Sequence, residues 1–176
     1  MNGRDLIDGY LKKIIKERAT LRGDFTLTSG IKTNYYFDGR VVKLSPDGSF
    51  LVGKRIFDLI GDLEVDAVGG PVLGAVPIVA AVALISHLEG KPIPAFVVRE
   101  TTKKHGTQKK IEGNLPKGGK VVIVDDTLTT GKSILRAIKA AEEKSCQIVK
   151  IIVLVDRQQG GSDELKKLGY DYHRYL

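Results

Sequence analysis

The chain is poor in cysteine, in long apolar runs and in acidic charge, and each shortage narrows what it does. Cys146 is the single cysteine among 176 residues. An internal disulfide is therefore excluded, and a reducing compartment fits. Cys146 lies between a helical pattern and an apolar strand, where a packed side chain is expected. No stretch approaches the ~20 consecutive apolar residues of a membrane span. The first residues hold no apolar core of a secretory leader, so a cytoplasmic protein with no membrane partner is expected. Repeats, low-complexity segments and linkers rich in glycine and proline are absent too. One domain over residues 1–176 is predicted, a length that supports a real core.

Acids number 21 against 28 lysines and arginines, which leaves a formal net charge of +7. Nucleic acid is one reason for such an excess. The basic residues, however, are spread along the chain, with clusters at residues 12–18 and 99–110 and no basic–aromatic repeats. An anionic small substrate, drawn in by a focused positive field, is the preferred explanation, and no nucleic-acid partner is expected.

Two familiar phosphate motifs are also missing. Gly131-Lys132-Ser133 matches the end of G-x-x-x-x-G-K-[ST], but Asp126 stands where the first glycine is required. No G-x-G-x-x-G opens a helix.

What is present is organised around residues 121–133. Val121-Val122-Ile123-Val124 is a run of four β-branched residues after Gly118-Gly119. It reads as a strand buried on both faces. Asp125 and Asp126 stand at its carboxyl end, followed by Thr127, Leu128, Thr129, Thr130, Gly131, Lys132 and Ser133. Ile134, Leu135, Ile138 and Ala141 then recur at helical spacing. Ligands of open α/β sheets bind beyond the carboxyl ends of the strands. A helix start offers free N–H groups and a positive dipole end to a phosphate. The two carboxylates would repel phosphate but suit sugar hydroxyls, or a magnesium ion reached directly or through water. A ribose 5-phosphate satisfies both ends. The alternative is a buried strand with an Asp-rich turn and an ordinary helix cap.

Before this stretch, residues 4–18 predict an amphipathic helix with Leu6, Ile7, Tyr10, Leu11, Ile14 and Ile15 on its apolar face. Phe25 to Gly30 alternates as a strand, and Tyr35 to Asp38 reads as its hairpin partner, with Lys32 between them. Aromatics beside a lysine suit a flat anionic base; a plain hairpin core explains them equally. Ser45-Pro46-Asp47 is a helix start, and Phe50, Leu51, Ile56, Phe57 and Ile60 give its apolar face. Val65 to Val68 predicts a strand, and Gly69 to Ala75 a turn that either approaches a ligand or simply joins strand to helix. Ile93 to Val98 predicts another buried strand.

Residues 99–113 are basic and poorly periodic, and predict a long exposed loop, either a lid or a solvated surface segment. Val149 to Val155 predicts a strand with Asp156-Arg157 at its carboxyl end. Arginine matches a carboxylate in two-point fashion, but an acid–arginine surface turn is equally compatible. A short helix from Ser162 and a final strand within Tyr170 to Leu176 complete the chain. The alternation of strands and helices predicts an α/β fold, a mostly parallel central sheet flanked by helices.

Four segments together carry a resemblance. Val121 to Ser133 resembles the binding motif for 5-phosphoribosyl 1-diphosphate (PRPP) of type I phosphoribosyltransferases. Phe25-Thr-Leu-Thr-Ser-Gly-Ile-Lys32-Thr-Asn-Tyr-Tyr-Phe-Asp38 is similar to the N-terminal signature of the orotate branch, F-T-L-x-S-G-x-K-S-x-Y-Y-x-D. Arg99, Lys103, His105 and Gly106 match that branch's loop R-K-x-x-K-x-H-G, with Glu100 where lysine is usual. Val155-Asp156-Arg157 with Gly160 matches V-D-R-x-x-G.

The resemblance implies a phosphoribosyltransferase fold with an N-terminal hairpin hood over about residues 1–40. It implies transfer of phosphoribose from PRPP to orotate in pyrimidine synthesis. Catalytic roles fall to Arg99, Lys103 and His105. PRPP binding falls to Arg99, Lys103, Lys104, His105 and every residue from Asp125 to Ser133. Orotate binding falls to Lys32, Thr129 and Arg157. Magnesium is implied as cofactor, carried by PRPP and reached by Asp125 and Asp126 rather than held in a protein cage. A homodimer is implied, with the 99–113 loop acting on the neighbouring subunit.

Three other readings are a purine-base phosphoribosyltransferase, a non-catalytic PRPP-binding RNA regulator, and the partner-dependent half of a bifunctional pyrimidine enzyme. Arg157 speaks against the first, since purines lack a carboxylate. The chain is too short for a second domain, which leaves the third only as a complex.

Overall fold

The computed structural model describes residues 3–26, 32–100 and 110–176. Its centre is a six-stranded sheet in the order β5–β4–β3–β6–β7–β8. β3 is Ala67–Pro71, β4 Ala95–Val98, β5 Ile111–Gly113, β6 Lys120–Leu128, β7 Gln147–Asp156 and β8 Tyr172–Arg174. Only the β4–β5 pair is antiparallel. Helices α4 (Val76–Leu88) and α5 (Lys132–Glu142) make the crossovers from β3 to β4 and from β6 to β7. The first crossover steps to one side of the parallel β3–β6 pair and the second to the other, so the strand order reverses between those two strands. A crevice at that reversal is where open α/β sheets take their ligands.

Alternation along β6 builds both layers. Val122 and Val124 join a core with Leu11, Ile56 and Ile78, supplied by α1 (Gly3–Ile14), α3 (Pro46–Ile60) and α4. Val121 and Ile123 face the other way, into a core with Ile134, Ile138 and Leu165, supplied by α5 and α6 (Gly161–Lys167). Successive strand residues point to opposite faces, and a parallel sheet covered on both sides needs apolar residues on both. Cys146 packs in the second core and its thiol donates to the Pro116 carbonyl at 3.1 Å.

Several predicted boundaries move. The N-terminal helix gives way at Ile15 to a π-helical turn, Ile15–Ala19. It buries Leu11, Ile14 and Ile15 but leaves Leu6 and Tyr10 largely exposed. The hairpin pairs β1 (Thr20–Thr26) with β2 (Lys32–Phe37), so its first strand starts well before Phe25. α3 begins at the expected place, with Ser45 accepting the Gly48 N–H at 3.2 Å, but Phe50 faces solvent. The basic loop is not wholly irregular, because Ile111–Gly113 forms an edge strand on β4. Residues 101–109 of that loop lie outside the described residues.

Two differences bear on the site. β6 does not stop before its acids. β7 is long enough to pair Asp125 with Val153, Thr127 with Val155 and Leu128 with Asp156. A short helix, α2 (Gly39–Lys43), follows the hairpin, capped by the Asp38 carboxylate, which accepts the Arg40 N–H at 3.0 Å. Among the described residues no helix is long and apolar enough to cross a membrane.

Candidate active site

A cavity of about 540 Å³ opens at the sheet reversal. Its wall combines Asp126 and Thr129 of the β6 end, Gly74 of the β3–α4 turn, Lys43 of α2, Tyr36 of the hairpin and Arg157 beyond β7. Elements far apart in sequence therefore meet where the topology predicts a ligand.

Asp125 is buried in the ladder of β6 and β7. One of its oxygens accepts the Asp126 N–H at 2.9 Å, and Ser133 Oγ of α5 lies 3.4 Å from the other. Burial pushes the Asp125 carboxyl up to about 7; the charge of Asp126 adds to the rise and Lys43 opposes it. Asp126 is more open. Its Oδ2 meets the ammonium ion of Lys43, which also donates to the Gly74 carbonyl at 2.8 Å. Lys43 is only 3% exposed, so this is a desolvated ion pair inside the site wall. Asp38 lines the cavity too but is paired with Arg40. It takes a two-point contact from Arg40, at 2.7 and 2.9 Å, and this contact holds its carboxyl below the usual range.

The β3–α4 turn crosses close beneath these acids. A Cβ on Gly74 would meet Asp125 Oδ1 at 2.2 Å and Asp126 Oδ1 at 2.9 Å. The loop after β6 is backed in the same way by α6. A Cβ on Gly161 would stand 2.5 Å from the Thr129 carbonyl, and the Gly161 N–H donates to that carbonyl at 3.0 Å.

Arg157 also lines the cavity. Its Nη2 donates to the Phe37 carbonyl at 3.3 Å, and its guanidinium stands 5.6 Å from the Tyr36 ring centre. Tyr36 in turn packs on Phe25, with ring centres 5.6 Å apart. Arg157 Nε is buried with no hydrogen-bond partner among the described residues. Asp156 beside it fixes the turn by accepting the Gln158 N–H at 2.8 Å. Burial raises that carboxyl, but this bond and its neighbours outweigh the effect and leave it lowered.

The sequence-predicted residues thus divide. Asp126, Thr127, Thr129 and Arg157 share the cavity wall, with Asp125 directly behind. Thr130 and Lys132 are exposed at the loop and helix start, beside buried Gly131 and half-buried Ser133. Leu128 points into the core at 1% exposure, so only its backbone faces the loop. Lys32 is exposed at the hairpin's outer end, beside a separate hollow with Phe25 and Asn34. Arg99 follows β4, with its N–H bonded to the Lys110 carbonyl and its Nε buried without a partner among the described residues. It is not a wall residue of the cavity. Lys103, Lys104 and His105 lie outside the described residues. Glu100 pairs with Arg136 of α5 at 3.1 Å. Sequence reasoning missed Lys43 altogether. A five-residue helix is too short to show a periodicity, and nothing local marks its last residue as buried.

Metal fit follows from the donor set. Among the described residues no group of three or more histidines, cysteines or acids could hold an ion. Asp125 and Asp126 supply two hard oxygen donors, and one of them is engaged by Lys43. That set fits magnesium brought in on a diphosphate, which supplies the remaining oxygens with water, and does not fit a protein cage.

The comparisons with known proteins agree with this geometry. The family profile described as "Phosphoribosyl transferase domain" matches residues 46–171. An orotate phosphoribosyltransferase of Streptomyces coelicolor is 41% identical over 160 residues, which cover 91% of this chain and 88% of that one. One of Aquifex aeolicus is 38% identical, covering 90% and 88%. Among solved structures, an orotate phosphoribosyltransferase of Mycobacterium tuberculosis in complex with PRPP superposes with a TM-score of 0.81 at 34% identity, covering 97% and 95%.

Proposed function

The chain belongs to the phosphoribosyltransferase family, and from that premise we infer that it transfers the 5-phosphoribosyl group of PRPP to orotate. The products are orotidine 5′-monophosphate and diphosphate, a step of pyrimidine synthesis. One observation carries this reading. An acid suited to ribose hydroxyls, Asp126 with Asp125 behind it, and an arginine suited to a carboxylate, Arg157, line the same cavity.

In the proposed complex, the free N–H groups at the start of α5 and the hydroxyls of Thr129, Thr130 and Ser133 hold the 5-phosphate. Asp125 and Asp126 accept from the ribose hydroxyls. Arg157 takes the orotate carboxylate while its face rests on Tyr36. These contacts align the ring nitrogen with C1 of the ribose. The C1–oxygen bond breaks, its electron pair leaves on diphosphate, the nitrogen lone pair forms the new C1–N bond, and the proton that nitrogen carried passes to the departing diphosphate. No side chain becomes a nucleophile. Magnesium, when bound with the substrate, supplies positive charge against the leaving diphosphate, and Asp125 and Asp126 would hold it.

By resemblance, Arg99, Lys103, Lys104 and His105 meet the diphosphate, Lys32 meets substrate, and the 99–113 loop serves the neighbouring subunit of a homodimer. The hairpin is assigned as the hood of a single domain, and the cytoplasm as the compartment. A purine base is disfavoured because it offers nothing to the guanidinium of Arg157.

The test is direct. Purified protein is mixed with PRPP, magnesium and orotate, and loss of orotate absorbance is followed beside uracil and hypoxanthine controls. Turnover with orotate alone is expected. Turnover with hypoxanthine and none with orotate would overturn the reading.

A further inference from the structure

The acid pair comes with a cation already in place. Lys43 is 3% exposed, a degree of burial that lysine adopts rarely and only with partners. Its ammonium ion has two of them, the Gly74 carbonyl and Asp126 Oδ2. These belong to the two segments that flank the sheet reversal, the turn after β3 and the end of strand β6. Lys43 itself arrives from α2, a third element, and lines the cavity. The other charged groups facing the pair are few. Asp38 and Arg40 satisfy each other in a two-point contact, Ser133 is neutral, and Arg157 is engaged with Phe37 and Tyr36. Lys43 is therefore the one cation bonded to the acid pair among the described residues.

Without it, two adjacent carboxylates would stand beside the place assigned to a phosphate-rich substrate, and the more open carboxylate would be free to turn. With it, the Asp126 carboxylate is held against the β3–α4 turn, Oδ2 through the ammonium ion and Oδ1 beside Gly74, while the residue stays on the cavity wall. We propose that Lys43 is a positioning residue for the phosphoribosyl substrate, its ammonium ion fixing Asp126 against the Gly74 turn so that the acid pair addresses ribose hydroxyls and does not gather a free divalent ion. This rests on the assignment of PRPP as substrate. It concerns a residue that the sequence motifs do not include.

The test compares Lys43→Met, Lys43→Gln and Lys43→Arg with the unaltered protein in calorimetric PRPP binding, in steady-state kinetics, and in Mn²⁺ binding to the free protein followed by electron paramagnetic resonance. Loss of one partner of a buried charge pair is worth more than about a factor of ten. The Kd and KM for PRPP should therefore rise at least about tenfold in Lys43→Met. The KM for orotate should stay where it was. The free Lys43→Met protein should gain a bound Mn²⁺ that the unaltered protein lacks. Lys43→Arg, which keeps the charge, should recover most of the PRPP affinity, and Lys43→Gln should not.

A purely structural role would lower the melting temperature and raise both KM values together, without a new Mn²⁺ signal. A PRPP Kd in folded Lys43→Met within twofold of the unaltered protein overturns the proposal. Equal Mn²⁺ binding by both proteins overturns its metal-excluding part. If Lys43→Met does not fold, equal PRPP affinity in the Gln and Arg variants overturns the proposal in its place. Failure of the substrate assignment looks different: the unaltered protein itself then binds no PRPP.

Discussion

The two loops that meet at the sheet reversal solve the same problem with opposite means. The turn after β3, residues 72–75, carries no ionisable side chain, and its contribution is a close backbone and one carbonyl, that of Gly74. The stretch at the end of β6 carries two carboxylates and three hydroxyl residues before α5 begins. One loop is therefore specified by what it leaves out, the other by what it displays. Lys43 is the physical link between them. A site of this kind is read only half-way by a search for reactive residues.

The contrast can be broken most severely at Asp126. Asp126→Ala leaves the Lys43 ammonium buried without its anion, a situation that costs about 3–5 kcal/mol. Urea unfolding should show that loss, and kcat/KM for PRPP should fall by more than about a hundredfold. A mild loss in both would mean that the displayed carboxylate is dispensable.

Asp125→Asn separates stability from function. The folded-state carboxyl titrates near 7 against 3.8 unfolded, so the folded protein holds the extra proton between those values. Stability then falls as pH rises through that window, and the deficit is complete above it. Three pH units correspond to about 4 kcal/mol at most. The free Asn variant should resist urea better than the unaltered protein at pH 8, with the advantage fading toward pH 4. PRPP affinity should drop at the same time.

Glycine replacements sharpen the contrast further. Gly74→Ala drives a methyl into both carboxylates. It should raise the KM for PRPP about tenfold or more, at a stability cost of about 1–3 kcal/mol. Gly161→Ala presses instead on the Thr129 carbonyl of the loop after β6. PRPP affinity should suffer while the KM for orotate holds. The smallest effect is expected from Glu100→Ala. The partly exposed pair with Arg136 contributes less than about 1 kcal/mol, measurable as a small shift of the urea midpoint.

Much of this was legible in the sequence, for identifiable reasons. β6, α5 and β7 each carry an apolar pattern long enough to fix both type and face, and α3 announces its start through Ser45 and Pro46. The acid pair and Arg157 were visible because charged residues at strand ends are conspicuous. Lys43 was not, because burial of a lysine is decided by partners on β6 and the β3–α4 turn. The extension of β6 through its acids depends on the length of β7, which no local pattern in β6 records. Phe50 shows the reverse error, an apolar residue at helical spacing that no neighbour covers.

That extension has a consequence for selectivity. Leu128 is opposite Asp156, and the Arg157 N–H donates to the Leu128 carbonyl at 2.9 Å. The acid pair and the arginine are thus mounted on one hydrogen-bonded ladder with a rise of about 3.3 Å per residue. The ladder works as a gauge block. On the proposed reading it fixes the span between sugar hydroxyls and base carboxylate before any substrate arrives. A base whose carboxylate sits at another distance from its reacting nitrogen is then refused on length alone, with no wall needed to exclude it.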